Sequence, residues 1–499
     1  ASEVAPEKVF IIDDNGKQYT FSDLKLEADT FASKLANEYE VARGSVVGLL
    51  IFNSFEICAL FLALNKLGAI AVPLATKLRH EKIQYLVDYA ELDCIIYSDK
   101  YDDWFGGDSD SQLESISLNS LKDTESSLGQ HLIHKTLPYE PETLRFADAA
   151  MFMTSGTTGA SKKVLLTNFS ILQAVESYEV ILGTTENDST VVATPMYYVT
   201  GLIAIFLLTL KVRAKMYIHK FFDSERVVKT IEKEGLTFFH ASPTVFIKLL
   251  EHRSAVSDLS KLHTLICGSA HMPSDKIREL NDWIPNAAFR TVYGMTETSS
   301  PFSIMPTAAA LSKFIESSGI PIPVNEVRIV NDDDEDLAFN TAGNVLLRGA
   351  TVITSYFDAQ INKDSFTTDG WLRSGDIGYV NEEGYLFIVD RKKDIVNCGG
   401  EKVWTYEVEE AIHHYIEGVD EVAVVGVPDE VYGEIVGSLI ALRHGYEYSQ
   451  EKIIELLSPH LAKFQIPRKV MFVDPLPKTE NSKIDKKLIK KIIADDYCS

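Results

Sequence analysis

The stretch Asp148–Asn168 reads DAAMFMTSGTTGASKKVLLTN, an apolar run that passes, over residues 154–163, into three Thr, two Ser, two Gly and two Lys. The apolar half predicts a strand and the rest a turn. Gly156 and Gly159 let backbone N–H groups approach oxygen atoms without a Cβ in the way. Thr154, Ser155, Thr157 and Thr158 add hydroxyl donors, and Lys162 adds a mobile positive charge. The arrangement suits phosphate oxygens. It is not the P-loop of kinases and GTPases, which needs four residues between its first Gly and a Gly-Lys-Ser/Thr. On composition alone a Ser/Thr/Gly surface loop reads equally well, so the company the stretch keeps decides.

Outward from it, short runs rich in Val, Ile and Leu, such as SVVGLLIF (45–52) and LDCIIYS (92–98), alternate with longer segments of helical period, such as EICALFLALNKLGAI (56–70). The same texture continues through TVVATPMYY (190–198), LTFFHAS (236–242) and LHTLICGSA (262–270), each run ending in a polar or Gly-bearing turn. This alternation predicts an α/β fold of layered, largely parallel sheets, with ligands at the carboxyl ends of the strands. After about residue 320 the pieces shorten and read as β structure, as in EVRIVNDDDEDL (326–337) and GNVLLRGATVI (343–353). From about residue 391 a small unit with both helices and strands follows: TYEVEEAIHHY (405–415) as helix, VDEVAVVGVPD (419–429) as strand and turn, QEKIIELLSPHL (450–461) as helix. The expected division is a large N-terminal domain over 1–390, its β-rich part at 320–390, and a small mobile C-terminal domain over 391–499.

Composition sets outer bounds. A chain of 499 residues, 45% hydrophobic, exceeds one ordinary domain. Cys58, Cys94, Cys267, Cys398 and Cys498 form no CxxC pair, so reduced, mostly buried thiols are expected rather than a disulfide frame or a zinc site. ASEVAPEKVF at the start is not an export signal, and no apolar stretch approaches the ~18 residues of a membrane span, which makes a cytoplasmic protein the expectation. A formal charge of −24 argues against nucleic acid as a partner. An acidic chain that binds a polyphosphate does so locally, through backbone N–H groups, a few Lys and a metal.

Three further elements keep TSGTTG company in chain order: VYGMTETS (292–299), WLRSGDIGYVNEEGYLFIVDRKKDIVNCGGEKVWTYEVEE (371–410) and FVDPLPKTENSKIDK (472–486). Together they resemble the adenylate-forming superfamily of acyl-CoA synthetases, peptide-synthetase adenylation domains and beetle luciferases. Similarity runs from about residue 150 to 486, with a weaker extension through FNSFEICALFLALNKLGAIAVPL (52–74). The resemblance implies attack of a carboxylate on the α-phosphate of ATP to give an acyl-adenylate and pyrophosphate, then transfer of the acyl group to a thiol. Such a step needs cations and preorganised donors rather than a protein nucleophile.

By the same resemblance, Thr154, Ser155, Gly156, Thr157, Thr158, Gly159 and Lys162 would hold the β- and γ-phosphates. Glu297 would bind Mg2+, a hard cation suited to carboxylate oxygens, and Thr296 would donate to the α-phosphate. Asp376 would accept from both ribose hydroxyls, as two acceptor oxygens allow, with Arg391 assisting. Lys393 would be the hinge about which the C-terminal domain swings, and Lys483 the catalytic lysine of adenylation. Gly399 and Gly400 would border a tunnel for the pantetheine arm of CoA. Each has a plainer alternative from its local sequence: a carboxylate at a helix start for Glu297, an Asx-turn for Asp376, a β-hairpin turn for Gly399 and Gly400, solvated surface charges for Arg391 and the lysines.

The acid pocket would be lined by Tyr197, Tyr198, Phe239, Ala241, Ser242, Gly268, Ser269, Ala270, Tyr293, Gly294 and Met295, of which Ser269, Ala270, Tyr293 and Gly294 would also border the nucleotide. The set is apolar or small, and lacks an Asp to hold an α-amino group. It favours a medium-sized, largely apolar carboxylic acid, cyclic or aromatic. Several positions depart from the family pattern: Ser161 stands where Pro is usual, Lys163 where Gly is, Tyr198 where aromatic-acid ligases often have His, Ser355 in place of the Gly of a Gly-Tyr pair, and Ser482 where Gly precedes the catalytic Lys. Ser161 and Lys163 predict a looser, more cationic phosphate loop, with Lys162 and not Lys163 at the phosphates. The expected activity is an ATP-, Mg2+- and CoA-dependent acid–thiol ligase. A carrier-protein pantetheine or an amine as acceptor is the alternative, and a catalytically silent ligand-binding relative a more distant one.

Overall fold

The structure is a computed structural model that describes residues 1–105, 113–122, 144–155, 161–479 and 484–497. The chain divides into two compact units. One comprises Ala1–Met272, Glu279–Glu326 and Leu347–Leu372, the other Pro273–Arg278, Val327–Leu346 and Arg373–Ser499.

In the first unit a six-stranded sheet runs in the spatial order Glu114–Ser117, Cys94–Tyr97, Val46–Leu50, Ile70–Pro73, Asp148–Ser155, Ser161–Thr167. All neighbours are parallel except the last pair. Ile70–Pro73 and Cys94–Tyr97 are buried at every position, the state that continuous apolar runs encode: a parallel sheet covered on both faces has no solvent side for polar residues to alternate onto. The helix Phe55–Leu67 makes one crossover and ends on Gly68, whose φ of 71° is the left-handed cap that a Cβ would strain. A five-stranded sheet, Phe238–Ala241, Thr264–Cys267, Ala288–Tyr293, Ser303–Ile304 and Ile320–Pro321, and a four-stranded one containing Val9–Ile12, Gln18–Thr20, Ser189–Val192 and Lys215–Ile218 complete this unit.

A further four-stranded sheet, Asn325–Val330, Gly343–Gly349, Leu372–Val380 and Leu386–Arg391, forms the β-rich part expected after residue 320 and lies mostly in the second unit. That unit continues with the long antiparallel pair Val419–Asp429 and Gly433–Leu442, joined by Lys469–Phe472, Val396–Cys398 and Glu401–Val403. Alternate residues of the first strand feed two cores. Val422 and Val424 pack with Val408, Ile412 and Ile453 on one face, while Ala423, Val425 and Val427 pack with Ile489 and Ile493 on the other. The unbroken apolar run there is a strand with helices on both sides.

Candidate active site

Asp148–Ser155 and Ser161–Thr167 form an antiparallel hairpin in which Thr154 faces Lys162 and Met153 faces Lys163. The quoted turn is thus the connection of this hairpin. Gly156, Thr157, Thr158 and Gly159, and with them Lys483 and Ser482, lie outside the described residues, as does the side chain of Ser155. Successive strand residues point to opposite faces, and the two lysines separate accordingly. Lys163 is 3% exposed. Its ammonium lies 3.1 Å from Glu91 Oε1, 4.3 Å from the Phe357 ring centre and 5.0 Å from that of Tyr89. Lys162 points the other way, its Nζ 4.5 Å above the ring of Tyr356. The expectation of a more cationic loop is corrected here: the second lysine is spent on packing.

Tyr356 is buried, and its phenol donates a 2.8 Å hydrogen bond to Glu297 Oε1. Burial and the neighbouring Glu297 carboxylate push the phenol far above its ordinary pKa, so it remains a donor. Glu297 is itself buried, in the short turn Thr296–Thr298, and its carbonyl accepts from Ile353 N–H at 2.9 Å. Among the described residues its Oε2 receives no hydrogen bond. One carboxylate with an oxygen to spare fits Mg2+, which is commonly held by one or two carboxylates together with substrate phosphates rather than by an all-protein cage. Among the described residues no group of three or more His, Cys, Asp or Glu could hold a metal alone. Tyr356 was not singled out from sequence; its signal was the Ser355-Tyr356 pair, where only the replaced Gly drew notice.

The parallel strands of the five-stranded sheet align Ala241, Cys267 and Thr291 in register, so Ser242, Gly268–Ala270 and Gly294–Met295, the last following Tyr293 at the end of its strand, leave the sheet at one end, the carboxyl end. Close approach favours glycine at Gly268 and Gly294, since an added Cβ would lie 3.1 Å from Val292 O and 3.1 Å from Phe302 N respectively and the neighbours would have to give way by a few tenths of an ångström. Ser269, exposed, adopts φ 76°, a conformation that non-Gly residues visit at a cost and that clusters at functional sites. Tyr197 is buried against Tyr198, with ring centres 4.6 Å apart. Burial raises the Tyr197 pKa. Asn53, unforeseen from sequence, clamps the segment before them: its amide donates to Thr194 O and His219 O and accepts from Met196 N–H at 2.8 Å. Phe239 departs from its expected place. Fully buried, it packs on Phe246 and lines a small apolar void with Val228, Ile231 and Leu249, because it takes the core side of a strand whose alternate residues point oppositely.

In the second unit Asp376 and Arg391 face each other across paired strands, with Nε 2.9 Å from Oδ1 and Asp376 only 4% exposed. Lys393 lies in the turn that follows, exposed. Gly399 and Gly400 have φ of 62° and 91° and close the hairpin Val396–Cys398/Glu401–Val403, as the plainer reading held. A Cβ on Gly400 would meet nothing within 4 Å, whereas one on Gly399 would lie 3.2 Å from the Tyr432 ring, so the pantetheine reading stays compatible. Sequence reasoning also passed over a buried cluster beside Arg391. Thr405 N–H and Oγ1 donate to the Asp390 carboxylate, and Lys486 donates to Thr405 Oγ1 at 2.9 Å and pairs with Glu409 at 2.8 Å. Burial works against the Lys486 charge, but Glu409 and Asp390 outweigh it and raise its pKa.

A family model described as AMP-binding enzyme matches residues 1–357, and one described as AMP-binding enzyme C-terminal domain matches residues 407–483. The chain belongs to the AMP-binding enzyme family. Its type is that of the AMP-forming acyl-CoA ligases, and the layered α/β fold is theirs. A 2-succinylbenzoate–CoA ligase from Listeria monocytogenes is 29% identical over 95% of each chain, and another from Bacillus cereus is 27% identical over 91% of this chain and 90% of its own. Among solved structures, the ATP-bound MatB of Rhodopseudomonas palustris superposes with a TM-score of 0.89 at 26% identity, covering 98% of this chain and 96% of that one. The o-succinylbenzoate CoA synthetase of Bacillus subtilis, in complex with its acyl-adenylate intermediate, gives 0.84 at 25% identity with the same coverage. CoA, not a carrier protein or an amine, is the acceptor in the names of the ligases. Among the described residues of this AMP-binding enzyme, no helix is long and apolar enough to cross a membrane.

Proposed function

We propose that this AMP-binding enzyme converts an aromatic carboxylic acid to its CoA thioester through an acyl-adenylate. The observation that carries the reading is the gathering of Lys162 and Glu297 on one side chain, Tyr356, at the turn end of the hairpin: a cation and a spare carboxylate oxygen at one place are what a magnesium–polyphosphate needs. Lys162 and the hydroxyls of the hairpin turn hold the β- and γ-phosphates, Thr296 donates to the α-phosphate, and Asp376 with Arg391 takes the ribose. Bound Mg2+ supplies charge neutralisation as negative charge builds on phosphorus. The acid carboxylate attacks the α-phosphorus with Lys483 stabilising the developing charge, and pyrophosphate leaves. The CoA thiol then attacks the acyl carbon and AMP departs, after a swing of residues 391–499 about Lys393 has removed Lys483 and brought Gly399 and Gly400 to the tunnel. The buried free thiols Cys58, Cys94, Cys267 and Cys398 suit the cytoplasm, where we place the enzyme.

An aromatic acid is favoured by the packed Tyr197–Tyr198 pair, which the family resemblance assigns to the acid pocket, and by the names of the relatives. Acid-dependent ATP–pyrophosphate exchange across a panel of aromatic and aliphatic acids, 2-succinylbenzoate included, tests it. Exchange with at least one aromatic acid, and thioester formation once CoA is added, is the expected result. No exchange with any acid sinks the reading, and exchange confined to aliphatic acids sinks its choice of substrate.

A further inference from the structure

The proposed reaction needs Glu297 and Lys162 fixed before the nucleotide arrives, and one segment touches both. Tyr356 is 4% exposed and pinned from several sides. Its N–H donates to Asn362 Oδ1 at 2.6 Å, its carbonyl accepts from Asn362 Nδ2 at 3.2 Å, and its ring meets Phe366 edge-on at 6.1 Å. From this fixed base the phenol holds one oxygen of Glu297, while Ile353, three residues earlier, holds the Glu297 backbone. Lys163 secures the same segment from the hairpin side, through a 3.9 Å approach to Asp358, the Phe357 ring, and a 3.4 Å bond from Phe357 N–H to its own carbonyl. Consecutive residues of the hairpin, Lys162 and Lys163, thus dock on consecutive residues of the 356–358 segment.

Resting on the function proposed above, we propose that Tyr356 is the positioning residue of the nucleotide site, orienting the Glu297 carboxylate for the metal and seating Lys162 for the phosphates. The chemistry of the seat matters. Among the described residues no carboxylate lies within ion-pair distance of Lys162. A ring face attracts an ammonium through its quadrupole without taking up its three N–H donors. The lysine is therefore held in place with its charge and donors kept for phosphate oxygens. The Glu297 oxygen not engaged by the phenol is likewise kept for the metal, in the way that hydrogen-bond partners orient metal-binding carboxylates elsewhere.

The test compares the full chain with its Tyr356→Phe and Tyr356→Leu variants, reading ATP binding by calorimetry with no acid present, once across a Mg2+ series and once in excess chelator. Tyr356→Phe retains the ring, the Phe366 contact and the backbone clamps, and folds as the parent does. It is expected to weaken the apparent Mg2+ affinity of the ATP complex by about tenfold or more, while metal-free ATP binding stays within twofold of the parent. Tyr356→Leu, which also removes the seat of Lys162, is expected to weaken metal-free ATP binding severalfold as well. Unchanged Mg2+ dependence in Tyr356→Phe, with ATP still bound, overturns the positioning role and leaves the enzyme reading standing. A parent chain that binds no ATP with Mg2+ overturns that reading and this inference with it.

Discussion

At the scale of the residue, the Lys162–Lys163 pair shows how one step along a strand separates binding from packing. Lys162→Met removes the cation above Tyr356 and leaves the protein's largest buried contacts alone. Its expected effect is a loss of pyrophosphate exchange of about a hundredfold, the scale on which one preorganised charge-stabilising group acts, with an unchanged urea midpoint. Lys163→Met keeps the stem and removes the charge from the cage of Tyr89, Phe357 and Glu91. Glu91 is 71% exposed and returns to water at little cost, so the loss is about 1 kcal/mol of stability, mainly from the ring contacts, with exchange within threefold of the parent. Urea melts and exchange assays on the two variants decide it. If both changes fell on the same property, the two faces of the strand would not have the separate duties assigned here.

At the scale of the element, what could be read beforehand followed from periodicity and turn chemistry. The apolar runs at 45–52 and 92–98 announced parallel strands, and Val46–Leu50 and Cys94–Tyr97 pair in parallel inside the six-stranded sheet. The face of Phe239 was not legible, because a run of four buried residues, Phe238–Ala241, carries no polar alternation to say which side meets the core. Nor was Asn53 or Tyr356: their partners lie 141 and 59 residues away, and no local pattern encodes such a contact. The same holds for Thr200–Leu207, a π-helix that begins two residues after Tyr198, a rare form frequently found at functional sites. Gly201 within it lies so close to the preceding turn that an added Cβ would sit 2.5 Å from Pro195 O and 2.9 Å from Met196 Cα. Backbone atoms cannot rotate aside, so Gly201→Ala must push the 195–198 turn and the tyrosines it carries. The expected cost is about 1–3 kcal/mol by overpacking, with a rise of severalfold in the KM of the acid and little change in that of ATP. Equal rises for both substrates would show that the turn is not specific to the acid.

At the scale of the whole molecule, the proposed division of labour between residues 1–390 and 391–499 predicts separable half-reactions. Lys483→Ala should abolish exchange yet spare CoA transfer from a supplied acyl-adenylate, while Lys393→Pro, which fixes φ at the hinge, should injure transfer more; equal loss in both variants would remove the case for alternation. Stability should also follow pH in a way two histidines of the first unit dictate. Burial lowers the His219 pKa to about 4, helped by the positive charge of Arg226 and opposed by Asp14 and Asp223, and burial alone lowers that of His240 to about 3. Each has a buried Nδ1 without a hydrogen bond, and neither imidazole can readily take a proton while folded. In the unfolded chain both regain a pKa near 6.5. The native state therefore binds fewer protons than the unfolded state below that value. The stability these residues contribute is complete above about pH 6.5 and declines as pH falls toward 4 and then 3, by up to ~1.4 kcal/mol per pH unit for each histidine. Urea midpoints between pH 7.5 and 5.0, a window above the titration of most carboxylates, should fall with acidification, and His240→Phe should make the slope shallower, since one of the proton-refusing sites is gone while His219 and His413, whose pKa burial also lowers, remain. A midpoint indifferent to pH across that window, or a slope untouched by the substitution, would mean that the folded protein admits a proton at these sites after all.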